Sequence, residues 1–364
     1  MRPRCPRTGG NAAMLRLPNF EYRAARTVGE ALDWMAECAR GEAKDPEAQV
    51  MLMAGGTDVL PNMKHRIFTP KVVIGLRGIA TLRGISADRD DRDGGLSIGA
   101  GVRLSELAAS TAVRARYPAL AEAAASISTP QLRQMGTLGG NLCLDTRCNY
   151  YNQSEFWRRA EQFCLKKGAD ICRVAPNGSG CYAVSSCDTA PALIALGATA
   201  RIATRDDERV VPVRSLFDDD GIHPVRLRGD EVLTEVTLPA LAGDWRSTYA
   251  KYRVRGAFDF PIAGVAVAAR FEGDVCIEAR LTLQGVATAP TPLPDIERLL
   301  SAKRWTADLL DEAADVAYRA SHPMDNTAGT IALRRRAVRA LTRQALERVM
   351  YLGADGSPAG TSNR

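Results

Sequence analysis

The sequence AGGTDVL at residues 54–60 directly follows an apolar run at residues 50–54. Glycines at such a point allow backbone angles that turn consecutive N–H groups to one side, which forms a concavity suited to an anion such as a pyrophosphate. A second stretch, GTLGGN at residues 136–141, has a similar composition. Neither stretch has the spacing of a Rossmann dinucleotide loop or of a Walker A loop. Each alone is compatible with a simple tight turn, but two such loops leaving one α/β core favour a shared phosphate-bearing ligand.

The residues around the first loop predict a small α/β unit. A strand is expected at residues 20–22, and a helix after Thr27, where Glu30 completes a capping box. The loop itself lies between strands at residues 50–54 and 71–76. This β-α-β-loop-β order is typical of an α/β fold.

Two further regions follow along the chain. The region that contains the second loop is predicted to have strands at residues 96–101, 199–204 and 232–236 and helices at residues 104–107, 118–126 and 190–197. Residues 239–243 are typical of a linker. The last region is predicted to have strands at residues 249–254, 264–271 and 277–286 and helices at residues 293–301, 305–318 and 330–351.

Composition excludes several classes of protein. The 364 residues include 48 Lys+Arg and 42 Asp+Glu, and the resulting charge of +6 is spread along the chain, which argues against a nucleic-acid surface. No apolar run approaches the roughly 20 residues of a membrane span, and no apolar core of a signal peptide follows the basic N-terminus. We therefore expect a reducing, cytoplasmic compartment. Residues 1–13 are predicted to be a disordered extension, with Met14 as an alternative start, and residues 353–364 a disordered tail.

The cysteines are concentrated in one segment. Six of the nine fall between Cys143 and Cys187, without CxxC spacing and without a histidine in the segment. Four thiolates from separated positions of an irregular loop suit a soft metal, either Zn²⁺ or an iron–sulfur cluster. Free or disulfide-bonded thiols are a third interpretation. The aromatic residues of the segment are expected to shield the site from water and to pack on a short helix at residues 153–165.

Five motifs identify a resemblance to a known family. They are AGGTDVL (54–60), IGAGVRLSEL (98–107), TLGGNL (137–142), DTAPALIALGA (188–198) and KYRVRGAFDFPIAGVAVA (251–268). Together they resemble the FAD-binding medium subunits of the xanthine oxidase family of molybdenum hydroxylases. The resemblance implies an α+β fold in which a p-cresol methylhydroxylase-type FAD-binding domain is followed by a CO dehydrogenase flavoprotein-like C-terminal domain, an antiparallel sheet with helices. The FAD-binding domain is expected at residues 14–240, as two α/β subdomains at about 14–77 and 78–240, and the C-terminal domain at residues 245–352.

An insertion distinguishes this chain from ordinary members, which pass almost directly from GGN to the Asp-containing segment. Here some 40 residues intervene, and CLDTRCNYYNQ (143–153) and FWRRAEQFCLKK (156–167) resemble the β subunits of 4-hydroxybenzoyl-CoA reductases. That resemblance implies one [4Fe–4S] cluster in an insertion at residues 143–187. Its implied ligands are Cys148, Cys164, Cys172 and Cys181. Cys143 and Cys187 would be spare thiols, expected to act as small buried hydrophobes.

The same resemblance implies the flavin site. The residues implied to bind FAD are Ala54, Gly55, Gly56, Thr57, Asp58, Val59, Thr137, Gly140, Asn141, Asp188, Leu233 and Lys251. Ala54 to Val59 would form one diphosphate loop, and Asp188 would bind ribityl or ribose hydroxyls. Leu233 would pack near the isoalloxazine ring. Lys251 near the flavin is equally compatible with a solvated strand lysine.

The implied function is that of an electron-transfer subunit without catalytic residues of its own. Its partners would be a molybdopterin-binding large subunit and a small subunit with two [2Fe–2S] clusters, in a dimer of heterotrimers. Electrons from reduced ferredoxin would pass through this chain to molybdenum, where 4-hydroxybenzoyl-CoA is reductively dehydroxylated in anaerobic aromatic degradation. The alternatives are the FAD subunit of another molybdenum hydroxylase, such as a xanthine or nicotinate dehydrogenase, and a structural subunit whose Cys₄ loop holds zinc.

A basic run in the insertion has two interpretations. Its members are Arg147, Arg158, Arg159, Lys166, Lys167 and Arg173. They could be an ordinary solvated face, or they could steer an acidic ferredoxin toward the cluster.

Overall fold

The computed structural model describes residues 15–39, 49–87 and 94–352. The expected extension at residues 1–13 and tail at residues 353–364 lie outside these residues. The described chain forms three sheets, each with its own helices. No helix in this part of the chain has the length and apolar character that crossing a membrane requires.

The first unit is the predicted small α/β unit. Its elements are β1 (Glu21–Ala24), α1 (Val28–Ala39), β2 (Val50–Met53), α2 (Val59–Lys64) and β3 (Val72–Gly75). The strands form a parallel sheet in the order β1-β3-β2. Thr27 Oγ1 accepts a 3.0 Å hydrogen bond from the Glu30 N–H, and the Glu30 carboxylate accepts one of 2.7 Å from the Arg26 N–H, so α1 begins at the predicted polar cap.

The second unit contains a five-stranded antiparallel sheet in the order β4-β5-β8-β6-β7. Its strands are β4 (Ile85–Ala87), β5 (Leu96–Gly99), β6 (Thr199–Ala203), β7 (Glu208–Pro212) and β8 (Val232–Leu238). Its helices are α3 (Leu104–Ala109), α4 (Thr111–Arg116), α5 (Pro118–Ser126), α6 (Pro130–Arg133), α7 (Leu138–Leu142), α8 (Glu155–Ala160) and α9 (Thr189–Ala195). The alanine-rich helices α5 and α9 lie fully against the main hydrophobic core, because their small side chains allow close packing.

The third unit is an antiparallel sheet covered by helices. Its strands are β9 (Asp244–Tyr252), β10 (Ala263–Glu272), β11 (Val275–Gln284), β12 (Thr291–Pro292) and β13 (Lys303–Arg304), in the order β12-β11-β10-β9 with β13 beside β11. Its helices are α10 (Pro294–Leu300), α11 (Ala307–Ala320) and α12 (Ile331–Tyr351). The fully buried Arg334 of α12 donates to the carbonyls of Met324 and Gly285 and to Asn326 Oδ1, and burial lowers its pKa to about 10.

Three details differ from the expectations. The helix expected at residues 153–165 is only α8, because Gln162 and Phe163 adopt positive φ angles of 57° and 58° and end it. The two glycine loops each lead into a short helix, α2 and α7, that no periodicity predicted. Strand β9 begins at Asp244 rather than at residue 249, directly after the linker predicted at residues 239–243.

Candidate functional site

The two glycine loops contact each other directly. A Cβ atom on Gly55 would lie 1.9 Å from the Met135 carbonyl oxygen, and a Cβ on Gly139 would lie 2.7 Å from the Ala100 Cβ. Gly56 has a positive φ of 71°, a conformation that glycine adopts without strain. Packing therefore requires glycine at positions 55 and 139, and the backbone angle favours glycine at position 56.

The loops differ in the hydrogen-bonding groups that they offer. In the second loop the N–H groups of Leu138 and Gly139 donate to backbone carbonyls, and that of Gly140 donates to Thr137 Oγ1 at 3.1 Å. The N–H groups of Gly55 and Gly56, by contrast, have no acceptor among the described residues. The first loop therefore has free donors for an anion, whereas the second contributes a close-packed wall.

Both loops line a cavity of about 1080 Å³ between the first and second units. This volume is at the upper end for small-molecule sites and accommodates an extended dinucleotide. Four arginines that sequence reasoning missed also line it: Arg77, Arg83, Arg103 and Arg228. Their charge, with the free N–H groups of the first loop, suits a diphosphate. No local pattern distinguishes them from surface arginines, so only the fold could reveal them.

The predicted flavin residues divide into two groups. Those that line the cavity are Ala54, Gly55, Thr137, Gly140 and Leu233. Those that do not line it are Gly56, Thr57, Asp58, Val59, Asn141, Asp188 and Lys251. A direct flavin contact by any of the twelve stays a prediction.

Several residues of the second group are held by other parts of the protein. Asn141 Oδ1 accepts hydrogen bonds from Thr189 Oγ1 at 2.7 Å and from Cys187 Sγ at 3.3 Å. Asp188 Oδ2 pairs with Lys251 Nζ at 2.9 Å, with side chains only 3% and 4% exposed. Lys251 is therefore a buried partner of Asp188 and not a solvated strand lysine.

The four predicted cysteine ligands line one small cavity in the insertion. Burial raises the pKa of the Cys148 thiol to about 11, although hydrogen bonds from the N–H groups of Tyr150 and Tyr151 oppose this rise. Burial also raises the pKa values of Cys164 and Cys181, again opposed by backbone N–H donors. Such N–H groups directed at sulfur stabilise thiolates.

The donor set of this cavity fits a thiolate-bound metal centre. Within the described residues, no three His, Cys, Asp or Glu side chains are placed to bind a single metal ion at once. Cysteine thiolates are the ligands of both structural zinc sites and iron–sulfur clusters. The arrangement therefore surrounds a common space without closing on one ion.

The two spare cysteines lie outside this cavity. Cys187 is buried against Asn141, as expected of a small hydrophobe. Cys143 is different, because its side chain is exposed to the large cavity. Surrounding protein nevertheless raises the pKa of its thiol to about 12.

Tyr151 and Lys166 line both cavities. Lys166 Nζ lies 4.8 Å from the centre of the Tyr151 ring and donates to the Asp145 carboxylate and to Thr146 Oγ1. Burial and the nearby Asp145 carboxylate raise the pKa of Tyr151, which keeps it a neutral phenol. The wall between the two cavities thus contains an aromatic ring and a buried ammonium group.

The basic run of the insertion is not a solvated face. Arg158 is 1% exposed, and Arg147 and the Lys166 side chain are also buried. Arg173 donates to the carbonyls of Phe163 and Glu161. Only Arg159 matches the surface interpretation, since its side chain is 72% exposed beside Glu155. Steering of an acidic partner by the run as a whole is therefore not supported.

Comparison with known proteins identifies two family domains. The FAD binding domain in molybdopterin dehydrogenase matches residues 18–241, and the CO dehydrogenase flavoprotein C-terminal domain matches residues 247–349. These boundaries agree with the division between the second and third units.

Curated relatives and solved structures agree with this assignment. The carbon monoxide dehydrogenase medium chain of Hydrogenophaga pseudoflava is 30% identical over 86% of this chain and 90% of its own. The xanthine dehydrogenase FAD-binding subunit of Escherichia coli O157:H7 is 29% identical over 75% of each chain.

A solved structure of the carbon monoxide dehydrogenase from Hydrogenophaga pseudoflava, which lacks the Mo-pyranopterin moiety, superimposes with a TM-score of 0.73 at 26% identity. The superposition covers 92% of this chain and 98% of that one. The chain therefore belongs to the family of FAD-binding medium subunits of molybdenum hydroxylases.

Proposed function

We propose that this chain is the electron-input subunit of a complex that reductively dehydroxylates 4-hydroxybenzoyl-CoA, and that it carries one [4Fe–4S] cluster besides FAD. The reaction consumes two electrons and two protons, breaks the aromatic C–O bond, forms a C–H bond and releases water with benzoyl-CoA. Two reduced ferredoxins would supply the electrons. The substrate chemistry belongs to a molybdenum-containing partner subunit, with a small two-cluster [2Fe–2S] subunit between, in a dimer of heterotrimers.

One observation carries the proposal: Cys148, Cys164, Cys172 and Cys181 converge on one cavity that adjoins the flavin cavity. A bound cluster supplies one-electron chemistry, and FAD exchanges one or two electrons. The residues of this chain would hold both groups. Four thiolates can hold a [4Fe–4S] cluster or a zinc ion, and the similarity of the insertion to those of 4-hydroxybenzoyl-CoA reductases favours the cluster.

The shared wall supports electron transfer between the two sites. Tyr151 and Lys166 line both cavities. Tyr151 is buried, and the Lys166 ammonium group lies 4.8 Å from the centre of its ring and pairs with the Asp145 carboxylate. The proposed cluster site and the proposed flavin site therefore share two buried side chains.

Metal analysis tests the cluster assignment. Iron and acid-labile sulfide are measured in the full-length chain purified anaerobically, for the wild type, Cys172→Ala and Cys38→Ala. We expect about four iron and four sulfide per chain in the wild type and in Cys38→Ala, because Cys38 lies in α1 and does not line the cysteine cavity. Cys172→Ala should lose most of the iron. One zinc per chain without sulfide would establish the structural alternative instead.

A second experiment tests the reaction. The intact complex is assayed with a reduced viologen and 4-hydroxybenzoyl-CoA, and benzoyl-CoA is measured. A complex that instead oxidises a purine or a nicotinate ring, with electrons leaving through FAD, would be another molybdenum hydroxylase. That alternative is supported by the similarity to the xanthine dehydrogenase FAD-binding subunit.

A further inference from the structure

We propose that the basic residues of the cysteine insertion are positioning residues for the flavin, because they hold both ends of α2, the short helix that follows the first glycine loop. This inference rests on FAD as the ligand of the large cavity. It does not depend on which metal the cysteines bind.

The first point of attachment is at the N-terminal end of α2. Asp58 is the N-cap residue of α2 and the last residue of the glycine loop. Arg147, next to Cys148 in the chain, makes an ion pair with the Asp58 carboxylate and lies 4.7 Å from the centre of the Phe260 ring. A buried guanidinium thus fixes the residue at which the loop becomes helix.

The second point of attachment is at the C-terminal end. His65 is the C-cap residue of α2, and its carbonyl accepts a 2.8 Å hydrogen bond from Arg158 Nη2. Arg158 Nε donates to the Gln153 carbonyl at 3.1 Å, while its Nη1 is buried without a hydrogen-bond partner in the described part of the chain. Burying the Arg158 guanidinium costs free energy, so close packing against the end of α2 has to offset that cost.

A third contact continues into the turn after α2. Lys167 Nζ donates a 2.7 Å hydrogen bond to the Ile67 carbonyl. Ile67 itself is buried in the apolar cluster that contains Cys148, Cys164 and Tyr151. The side chains of residues 67 and 68 also line the flavin cavity. The insertion therefore supports the whole segment from the first loop to residue 68.

This arrangement gives the buried basic residues a role. A free-standing α2 of six residues would be too short to hold its own geometry. The free N–H groups of Gly55 and Gly56 belong to the loop that continues into this helix, and Gly55 lines the large cavity. Loss of these contacts should therefore weaken the binding of every ligand that the loop holds through a diphosphate. The dissociation constants of such ligands should rise by a similar factor.

The test uses two neighbouring arginines of α8. Arg158 is buried against α2, whereas Arg159 is exposed and pairs with Glu155 on its own helix, so Arg159→Met is the matched control for Arg158→Met. The dissociation constants of FAD and of ADP are measured by titration calorimetry on the FAD-stripped full-length chain. Folding is monitored by thermal unfolding, and iron is measured in the same samples. Arg158→Lys and Lys167→Met complete the set, and they decide the outcome if Arg158→Met does not fold.

We expect Arg158→Met and Lys167→Met to weaken FAD and ADP binding roughly tenfold or more and by the same factor. Arg158→Lys should recover part of the loss, and Arg159→Met should bind both ligands within about twofold of the wild type. Folded Arg158→Met or Lys167→Met with wild-type dissociation constants would overturn the proposal. Weakened ligand binding in a chain that contains no iron would support it while refuting the cluster assignment, so the two failures are distinguishable.

Discussion

Tyr249 donates a 2.6 Å hydrogen bond from its hydroxyl group to Asp188 Oδ1. Tyr249 belongs to β9 of the C-terminal sheet, and Asp188 is the N-cap residue of α9 in the FAD-binding domain. Lys251, two residues along β9, pairs with the other carboxylate oxygen. Burial and the Asp188 carboxylate raise the pKa of Tyr249, so the bond persists over the ordinary pH range. This buried network joins the two family domains.

Replacement of Asp188 by Asn should destabilise the chain strongly. It leaves the Lys251 ammonium group buried without a carboxylate, which costs about 3–5 kcal/mol in free energy of unfolding, whereas Tyr249→Phe should cost about 1–3 kcal/mol. Urea unfolding measures both values. An Asp188→Asn variant that is as stable as the wild type would contradict the role of Asp188 at the domain junction. If Tyr249→Phe also leaves the FAD affinity unchanged, Asp188 serves the flavin instead.

Gly55→Ala should remove bound FAD and lower stability. The new Cβ would lie 1.9 Å from the Met135 carbonyl oxygen, so the loops must separate, at a cost of about 1–3 kcal/mol. Gly229→Ala is the control, because Gly229 also lines the cavity but a Cβ there meets nothing within 4 Å. FAD content and thermal unfolding are the measurements. Equal FAD content in the two variants would contradict the close approach of the glycine loops.

The thiol of Cys143 should report occupancy of the flavin cavity. It opens into that cavity, and its pKa is raised to about 12, so iodoacetamide should modify it slowly at pH 8, and the rate should rise about tenfold for each unit by which the pH increases toward 12. Bound FAD should block the reaction. Cys38, half-buried in α1, is the internal reference in peptide mass spectrometry. Modification of Cys143 at the same rate with saturating FAD would show that the flavin lies elsewhere.

Glu231 should make stability depend on pH in the acid range. Its fully buried side chain binds Arg209 through two hydrogen bonds of 2.9 and 3.0 Å, which lower its pKa below the ordinary 4.5. A lowered pKa stabilises the folded chain above about pH 4.5, and that contribution is lost as the pH falls through the folded-state pKa.

Glu231→Gln should therefore cost about 1–3 kcal/mol at pH 7, with a smaller difference from the wild type at pH 4. Urea unfolding at the two pH values is the measurement. Asp230→Asn is the matched control, since the exposed Asp230 side chain should contribute at most about 1 kcal/mol. A difference for Glu231→Gln that stays constant between pH 7 and pH 4 would contradict the lowered pKa.

Local patterns predicted the elements of this fold where periodicity and caps were clear. The predicted cap at Thr27 and Glu30 is confirmed by the structure. It could be predicted because a helix cap depends on residues that are only three positions apart. The short helices α2 and α7 were not predicted, since five or six residues give no periodicity and both begin in glycine-rich turns. The break at Gln162 and Phe163 was missed because nothing in their identity favours a positive φ.

The candidate site was predictable to the extent that its residues are contiguous. The glycine loops and the concentration of cysteines were visible in the sequence, but the choice of four cysteines depended on resemblance. The arginines that line the large cavity were not predictable, because they come from four separate segments. The burial of Arg158 was also missed, since its acceptor is a carbonyl 93 residues away and charged residues are ordinarily exposed.

The position of Tyr151 and Lys166 makes the small cysteine cavity and the large cavity neighbours that share lining residues. Protein screens charge less than water does, so a charge bound in one cavity acts across these two side chains on the other. Replacing Lys166 would also leave the Asp145 carboxylate without its ion-pair partner. A substitution at Lys166 is therefore expected to alter both cavities at once.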